Sequence, residues 1–266
     1  MPITKLILFA SVLAGLLFSA HARATRDQPF YDDEIALQTS QAAIGNHVRS
    51  QHFVRPDGTS GELSQFRGQP LVLSLVYTSC NQICPMTTRN LAKAVSKARK
   101  ALGENSFTVV TAGFDSLFDT PDRMAFFAAQ QDIADANWHM VSLNEAAVDE
   151  LAKDVGFLFR KAAGGFEHLV QTTLIDAEGR VHRQVYGQSF STPLLVDPLI
   201  SLVLGKSDTT AGFLSTFRDK VRLFCTTYDP IRDGYYFDYS LFLGIFIGGA
   251  IILVTGFFTL REVRGR

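Results

Sequence analysis

The chain has 266 residues, enough for one domain of ordinary size with additional segments or for two small domains. Its 25 basic residues almost balance its 26 acidic residues, so the charge gives no case for a nucleic-acid-binding face. Three cysteines are too few for a disulfide scaffold in a chain of this length, and their positions are therefore more informative than their number.

The first 24 residues are typical of a secretory signal peptide. Lys5 precedes a short apolar run over residues 6–18, and two Ala-x-Ala patterns follow, ending at Ala22 and Ala24. Both patterns remain possible cleavage positions. The apolar run is too short to cross a hydrocarbon core about 30 Å thick, which favours cleavage over an uncleaved anchor. We therefore predict that the chain is exported.

Residues 40–206 alternate between short apolar runs and amphipathic stretches, the pattern of an α/β domain, and residues 25–39 before them are predicted to be a lead-in segment. The predicted elements, in chain order, are a strand at 71–77, a helix from Pro85 to Gly103, a strand at 107–112, a helix from Thr120–Pro121, a strand at 138–141, a helix at 144–155, a hairpin of 169–175 and 180–186, and a helix after Ser191. This order predicts a thioredoxin-like fold, with a central sheet flanked by helices.

The carboxyl-terminal end of the chain is predicted to cross a membrane. Residues 239–260 include no charged side chain and, at about 1.5 Å per residue, are long enough to span a bilayer as one helix. Arginines at 261, 264 and 266 follow, so the positive-inside rule places the tail 261–266 in the cytoplasm. With residues 207–238 as a linker, we expect a single-pass protein of the inner membrane whose domain faces the periplasm.

Cys80 and Cys84 lie where the predicted central strand meets its helix. Side chains four residues apart at a helix start share one face, so the two sulfurs can close a disulfide or bind a single ion. The helix N-terminus lowers the pKa of a thiol and favours the thiolate that either chemistry requires. Thiolates suit Cu(I), and an added imidazole also suits Cu(II). Two cysteines rarely complete a metal site, so we expect a third ligand from another part of the chain.

Among the six histidines, His168 is the best placed to be that ligand. It lies between a loop that contains Gly164 and Gly165 and the predicted strand that begins at residue 169. The imidazole can reach the cysteines if that strand neighbours the central one. The other histidines lie in the signal peptide, ahead of the first core strand or inside predicted strands. Considered alone, a histidine in such a position is more often an ordinary surface residue.

Over residues 40–205 the chain resembles the Sco/SenC family of copper chaperones. The resemblance lies in the motifs Phe66-Arg-Gly-Gln-Pro70, Tyr77-Thr-Ser-Cys80, Cys84-Pro85, Phe114-Asp115…Asp119-Thr-Pro121 and His168…Leu174-Ile-Asp176…Gly179. It implies a thioredoxin-like fold and copper, Cu(I) or Cu(II), bound by Cys80, Cys84 and His168. It also implies an acidic residue near the site, either Asp115 or Asp119, and a place in the bacterial subset with a carboxyl-terminal membrane span.

The resemblance further implies a metallochaperone rather than an enzyme. Its partner would be the copper-bearing subunit of cytochrome c oxidase or another periplasmic copper or thiol protein. The protein would deliver copper to the binuclear copper site, or reduce the cysteines of that site.

Three alternative functions stay open. A periplasmic thiol–disulfide oxidoreductase shares the fold and the dithiol. However, Cys80 and Cys84 are separated by three residues, whereas two separate the cysteines of a typical oxidoreductase. The proline that thioredoxins place opposite their active site is also missing, because no proline occurs between Asp122 and Thr192. A peroxidase fits the residues before Cys80 only weakly. A zinc-binding or scaffolding protein would need a fourth zinc ligand.

The remaining thiol, Cys225, is inert, pairs with another chain or assists copper transfer.

Overall fold

The computed structural model describes residues 31–205, 226–229, 234–237 and 240–264. The chain divides into two compact units, Met1–Asp32 and Asp33–Arg266, and only residues 31 and 32 of the first are described. The predicted signal peptide and Cys225 both lie outside the described residues.

The second unit combines helices and strands throughout the predicted α/β region. Its strands are β1 His52–Val54, β2 Ser60–Glu62, β3 Leu71–Val76, β4 Thr108–Gly113, β5 Trp138–Ser142, β6 Phe159–Ala162, β7 Gly165–His168, β8 Gln171–Ile175, β9 Val181–Tyr186, β10 Thr226–Asp229 and β11 Gly234–Phe237. Its helices are α1 Asp33–Ala42, α2 Ile83–Leu102, α3 Pro121–Gln130, α4 Glu145–Val155, α5 Thr192–Gly205 and α6 Ser240–Arg264.

A seven-stranded sheet in the order β2-β1-β5-β4-β3-β8-β9 forms the centre of the domain. Strands β3, β4 and β5 are parallel neighbours, joined through α2 and α3, whereas β8 pairs antiparallel with β3 and with β9. Parallel strands need such crossover connections, usually helical ones. The mixed sheet confirms the predicted thioredoxin-like architecture. Strand β8 lies beside the central strand β3, which meets the condition stated above for His168.

The two central strands of the sheet are buried along their whole length. Every residue of β3 and of β4 is buried, which explains why both appear in the sequence as nearly continuous apolar runs. On α2 the side chains at helical spacing face this core, among them Leu91, Val95 and Ala98. The helix ends at Gly103, whose φ of 105° is readily available only to glycine.

The structure adds elements that the pattern of the sequence did not predict. Helix α1 occupies part of the predicted lead-in segment, and it buries only Ala36 and Ser40, too few residues for a hydrophobic period to be visible. The three-residue strands β1 and β2 extend the sheet beyond β5. A separate hairpin, β6–β7, replaces the predicted glycine loop before His168.

Helix α6 covers most of the predicted span and most of the predicted tail, and the pair β10–β11 lies within the predicted linker. Within the part of the chain that the structure describes, no helix is both long and apolar enough to cross a membrane. The predicted membrane span over residues 239–260 is not supported by this finding and stays a prediction.

Candidate dithiol site

The two cysteines lie at the carboxyl end of β3, the edge where open α/β sheets place their ligands. Cys84 is the second residue of α2 and is 3% exposed, whereas Cys80 precedes the helix and is partly exposed. The backbone N–H of Cys84 donates to Cys80 Sγ at 3.3 Å. Both thiols are free, so the structure has the pair in its reduced form.

The two thiols differ sharply in acidity because the pair shares one proton. The Cys84 thiol donates to the Cys80 sulfur, which also accepts backbone N–H bonds from Cys84 and Gln82, and together these lower the pKa of Cys80 to about 4. The same shared hydrogen bond, together with burial, raises the pKa of Cys84. The arrangement therefore presents an exposed thiolate at Cys80 and a buried thiol at Cys84.

Asp119 supports the loop that carries the first cysteine. Its Oδ1 accepts hydrogen bonds from the N–H and the hydroxyl of Thr78, both at 2.7 Å, and its Oδ2 accepts the N–H of Asp115 at 2.9 Å. The side chain is 1% exposed, and burial raises its pKa. Asp119 thus braces the cysteine loop with its side chain, and Asp115 contributes only its backbone N–H. Which of the two is the acidic residue implied by the resemblance stays a prediction.

His168 is the last residue of β7, not part of an open loop. It pairs across the β6–β7 hairpin with Phe159, while a cross-strand ion pair joins Arg160 to Glu167. Its Nδ1 lies 3.1 Å from the carbonyl oxygen of Leu169. A carbonyl can only accept, so Nδ1 carries the proton and Nε2 keeps its lone pair, the arrangement that a metal-binding histidine needs.

Aromatic rings surround the imidazole of His168. The centroids of Phe114 and Phe157 lie 5.4 Å from it, and that of Tyr77 lies 6.0 Å away at an interplanar angle of 86°. Burial among these rings lowers the pKa of His168, which keeps the ring neutral. The hydrogen bond to the Leu169 carbonyl and the charge of the Cys80 thiolate oppose this shift.

The structure brings Cys80 and Cys84 together and places His168 on the same edge of the domain. Within the described residues, no group of three or more histidine, cysteine, aspartate and glutamate side chains is arranged to hold a metal ion. The donors themselves, two sulfurs and an imidazole with a free Nε2, are of the kinds that suit copper. The three-ligand set therefore stays a prediction, and it requires the β6–β7 hairpin to approach the dithiol.

A cavity of about 380 Å³ opens beside Cys80. Its lining includes Cys80, Pro85, Arg123 and Phe126, and the Phe126 ring is exposed. Cys80 thus lines a partly apolar opening to solvent, whereas Cys84 is buried and is not among the residues that line it.

Sequence reasoning missed Tyr77 as a site residue and treated it only as the end of a strand. In the structure its ring contacts the imidazole of His168, and burial, with the nearby Cys80 sulfur adding to it, raises the pKa of Tyr77 to about 12. The aromatic surroundings of His168 were missed as well, because their phenylalanines come from separate elements. The one local signal for Tyr77 was its position: it lies directly before Thr78-Ser79-Cys80, at the end of the strand that leads to the site.

Comparisons with known proteins identify relatives over the α/β domain. The family described as SCO1/SenC matches residues 40–203. The SCO1 protein homolog of Bacillus subtilis (strain 168) is 24% identical over 160 residues, covering 58% of this chain and 80% of the relative.

Two solved structures share the fold. Arabidopsis thaliana ScoI, determined with copper bound, gives a TM-score of 0.52 at 19% identity and covers 60% of this chain and 98% of its own. BsSco, described as a member of the Sco family of cytochrome c oxidase assembly proteins with a disulfide switch, gives 0.52 at 21% identity, covering 60% and 94%.

The match of the family to more than half of the chain, over the segment that forms the sheet, the dithiol and the His168 hairpin, shows that this chain belongs to the SCO1/SenC family.

Proposed function

We propose that this protein takes up one copper ion through Cys80, Cys84 and His168 and delivers it to the binuclear copper site of cytochrome c oxidase. The observation that carries the proposal is the paired donor set: a Cys80 thiolate beside Cys84, and a neutral His168 whose Nε2 is left free by the bond from Nδ1 to Leu169. Membership of the family supports it, because the Arabidopsis relative was determined with copper and BsSco is described as an oxidase assembly protein.

Capture in this proposal has two stages. The Cys80 thiolate meets Cu(I) first, because it is the more exposed and the more acidic of the two sulfurs. Cys84 then gives up its proton to bind, since a thiolate is the form that ligates metal. His168 completes the site as the β6–β7 hairpin closes, and its opening releases the ion to the partner.

Titration of the reduced full-length protein with Cu(I), in competition with a chromophoric Cu(I) chelator, is expected to give one copper per chain. Changes to residues that only support a metal ligand lower metal affinity by about 10–100-fold. Loss of a ligand itself should weaken copper binding by at least this much in each of three variants: Cys80→Ser, Cys84→Ser and His168→Ala. His182→Ala, which removes an exposed imidazole from β9, is the matched control and should bind as the wild type does.

X-ray absorption of the copper-loaded protein is expected to report two sulfurs and one imidazole nitrogen. An unchanged affinity in His168→Ala would remove the three-ligand proposal and leave a two-sulfur site. Delivery is tested in cells: the spectroscopic signal of the binuclear copper site should be lost without the protein and restored by the wild type but not by Cys80→Ser.

A location is part of the proposal: the domain faces the periplasm, and residues 239–260 tether it to the inner membrane. The uncharged sequence of this stretch and the exposed apolar side chains of α6, such as Phe246 and Leu253, support it. The full-length protein should resist extraction by alkaline carbonate, and the double change Ile251→Arg/Ile252→Arg should release it. Release of the unchanged protein would contradict the tether.

A second candidate function is thiol–disulfide exchange. The asymmetry of the pair favours it, since an exposed low-pKa thiolate backed by a buried thiol is the usual arrangement of a dithiol reductant. The exchange could itself serve oxidase assembly by reducing the cysteines of the copper site. Rapid turnover of a disulfide substrate by the metal-free protein would favour this function, whereas slow turnover with tight copper binding would favour the chaperone.

A further inference from the structure

The cavity at the dithiol lies between the cysteine loop and helix α3. Residues 78–81 of the loop contribute to its lining, and so do Arg123 and Phe126 of α3. The two segments meet because β3 and β4 are parallel neighbours, so the loops that follow these strands lie at the same edge of the sheet. Two hydrogen bonds of 2.7 Å between Thr78 and Asp119 join those loops. The cavity therefore belongs to the edge that carries the cysteines.

Large apolar side chains are exposed on the segments that meet at this edge. Phe126 is 59% exposed, whereas Phe127, its neighbour on α3, is 2% exposed and belongs to the core. Ile83 at the start of α2 and Leu117 and Phe118 in the loop after β4 are exposed as well. We call Ile83, Leu117, Phe118 and Phe126 the apolar rim. Such a group of exposed apolar side chains is typical of a surface that contacts another protein.

Arg123 gives the cavity its charge. It is the one charged residue among those of the described chain that line the cavity. Its guanidinium forms no hydrogen bond or ion pair with any residue in the ranges that the structure describes. The arginines at 49, 99 and 160, by contrast, are paired with carboxylates of the domain. An unpaired guanidinium beside an otherwise neutral opening favours a carboxylate on the molecule that enters.

We propose that this cavity and the apolar rim receive a segment of the partner protein in which an apolar side chain and a carboxylate flank the sulfur that meets Cys80. The apolar side chain packs against Phe126, and the carboxylate pairs with Arg123. Because Cys80 lines the same cavity and is the more exposed of the two cysteines, a segment held in this way brings its sulfur to Cys80. The inference rests on the proposed function, since the partner is then the protein that receives copper or whose disulfide is reduced.

The test measures thiol–disulfide exchange between the metal-free, reduced full-length protein, in a Cys225→Ser background, and synthetic peptide dimers. Each dimer joins two copies of Gly-Leu-Cys-Gly-Xaa-Gly by a disulfide, with glutamate or lysine at Xaa. Cys80 Sγ attacks one peptide sulfur and the other peptide leaves; Cys84 then displaces the bound peptide. The protein dithiol loses two electrons and closes its disulfide as two peptide thiols form, one with the proton of Cys84 and one with a proton from solvent.

The wild type should react faster with the glutamate dimer than with the lysine dimer. Arg123→Gln should lower this ratio of rates about two- to fivefold, the effect expected of an exposed ion pair. In the wild type, 1 M NaCl should lower the ratio as well. Arg183→Gln removes the same charge from β9 and is the matched control, with an unchanged ratio. The ratio is the readout because a change in the reactivity of Cys80 itself would alter both rates alike.

Phe126→Ala tests the apolar contact. Replacing leucine by alanine in the glutamate dimer should slow the wild type by about threefold or more, because less apolar surface is buried on docking. Phe126→Ala should respond much less to this replacement and should keep its preference for glutamate over lysine. Leu194→Ala, which shortens an exposed side chain on α5, is the control and should respond as the wild type does.

Three results would overturn the inference: equal rates of the wild type with the glutamate and lysine dimers, a ratio unchanged in Arg123→Gln, or no reaction with any dimer. Copper titration of the same proteins distinguishes the two proposals. A wild type that binds no copper but prefers the glutamate dimer through Arg123 removes copper delivery and keeps the docking site. A wild type that binds copper and shows no preference does the reverse.

Discussion

Asp119 is the residue on which the shape of the cysteine loop depends most directly. Its two oxygens accept three hydrogen bonds from Thr78 and Asp115, and it packs where Gly113 has no side chain. Buried N–H groups that lose their acceptor cost about 1–3 kcal/mol each. The carboxylate of Asp119 thus stabilises the fold and holds the backbone just before Cys80 in place.

Asp119→Ala is expected to lower the free energy of unfolding by about 2–4 kcal/mol, since it removes a buried side chain and leaves two partly buried N–H groups without their acceptor. Urea denaturation of the reduced protein measures this loss. Asp122→Asn, which alters an exposed carboxylate in the first turn of α3, should cost less than about 1 kcal/mol. Equal losses in the two variants would show that Asp119 does not brace the loop.

At the scale of elements, the contact between α1 and the end of α4 holds the amino-terminal helix on the domain. Gly156 ends α4 in the left-handed conformation, with φ of 65°, and lies directly against α1. A Cβ there would lie 2.5 Å from the carbonyl oxygen of Thr39 and 2.8 Å from the Cβ of Ala43. Gly156 therefore serves both as a helix cap and as the close-packing point of two helices.

Gly156→Ala should destabilise the protein by more than about 2 kcal/mol, because left-handed strain adds to a clash with backbone that cannot move aside. Gly58→Ala is the control: its φ of 80° is also positive, but a Cβ would meet nothing within 4 Å. It should cost only about 1 kcal/mol. Chemical denaturation of both variants gives the difference, and similar losses would mean that the helix contact is unimportant.

At the scale of the whole molecule, burial of histidines connects stability with pH. His139 lies on β5 with its ring stacked on Phe66 at 5.0 Å, and burial lowers its pKa, with Arg55 adding to the shift and Asp135 opposing it. A histidine with a lowered pKa in the folded state binds its proton more weakly than in the unfolded chain. The stability it contributes is present above pH 6.5 and is lost as the pH falls through its folded-state pKa.

We therefore expect the free energy of unfolding to decrease between pH 7 and pH 5, and His139→Phe to decrease less steeply. The difference in slope should be a fraction of the about 1.4 kcal/mol per pH unit that one full proton contributes, since the half-buried ring is partly screened. Denaturation at several pH values measures it, with the exposed His182→Gln as control. Identical slopes in His139→Phe and the wild type would contradict this origin.

The sequence by itself determined the α/β class, the central strands and the junction that presents Cys80 and Cys84. Those features follow from local patterns: apolar runs mark buried strands, helical spacing marks α2, and a proline in its first turn marks its start. The hairpin of β8 and β9 was predicted as well, but its place beside β3, on which the reach of His168 depended, became known only from the structure.

Only the tertiary structure decided which carboxylate braces the cysteine loop, that His168 ends a hairpin strand, and that the ring of Tyr77 packs against that hairpin. The physical reason is that each of these depends on contacts between residues far apart in the chain: Thr78 with Asp119, and Tyr77 with Gly165 and Phe166. Helix α1 escaped prediction for the same reason, since its stability comes from packing small side chains against α4 rather than from an apolar face of its own.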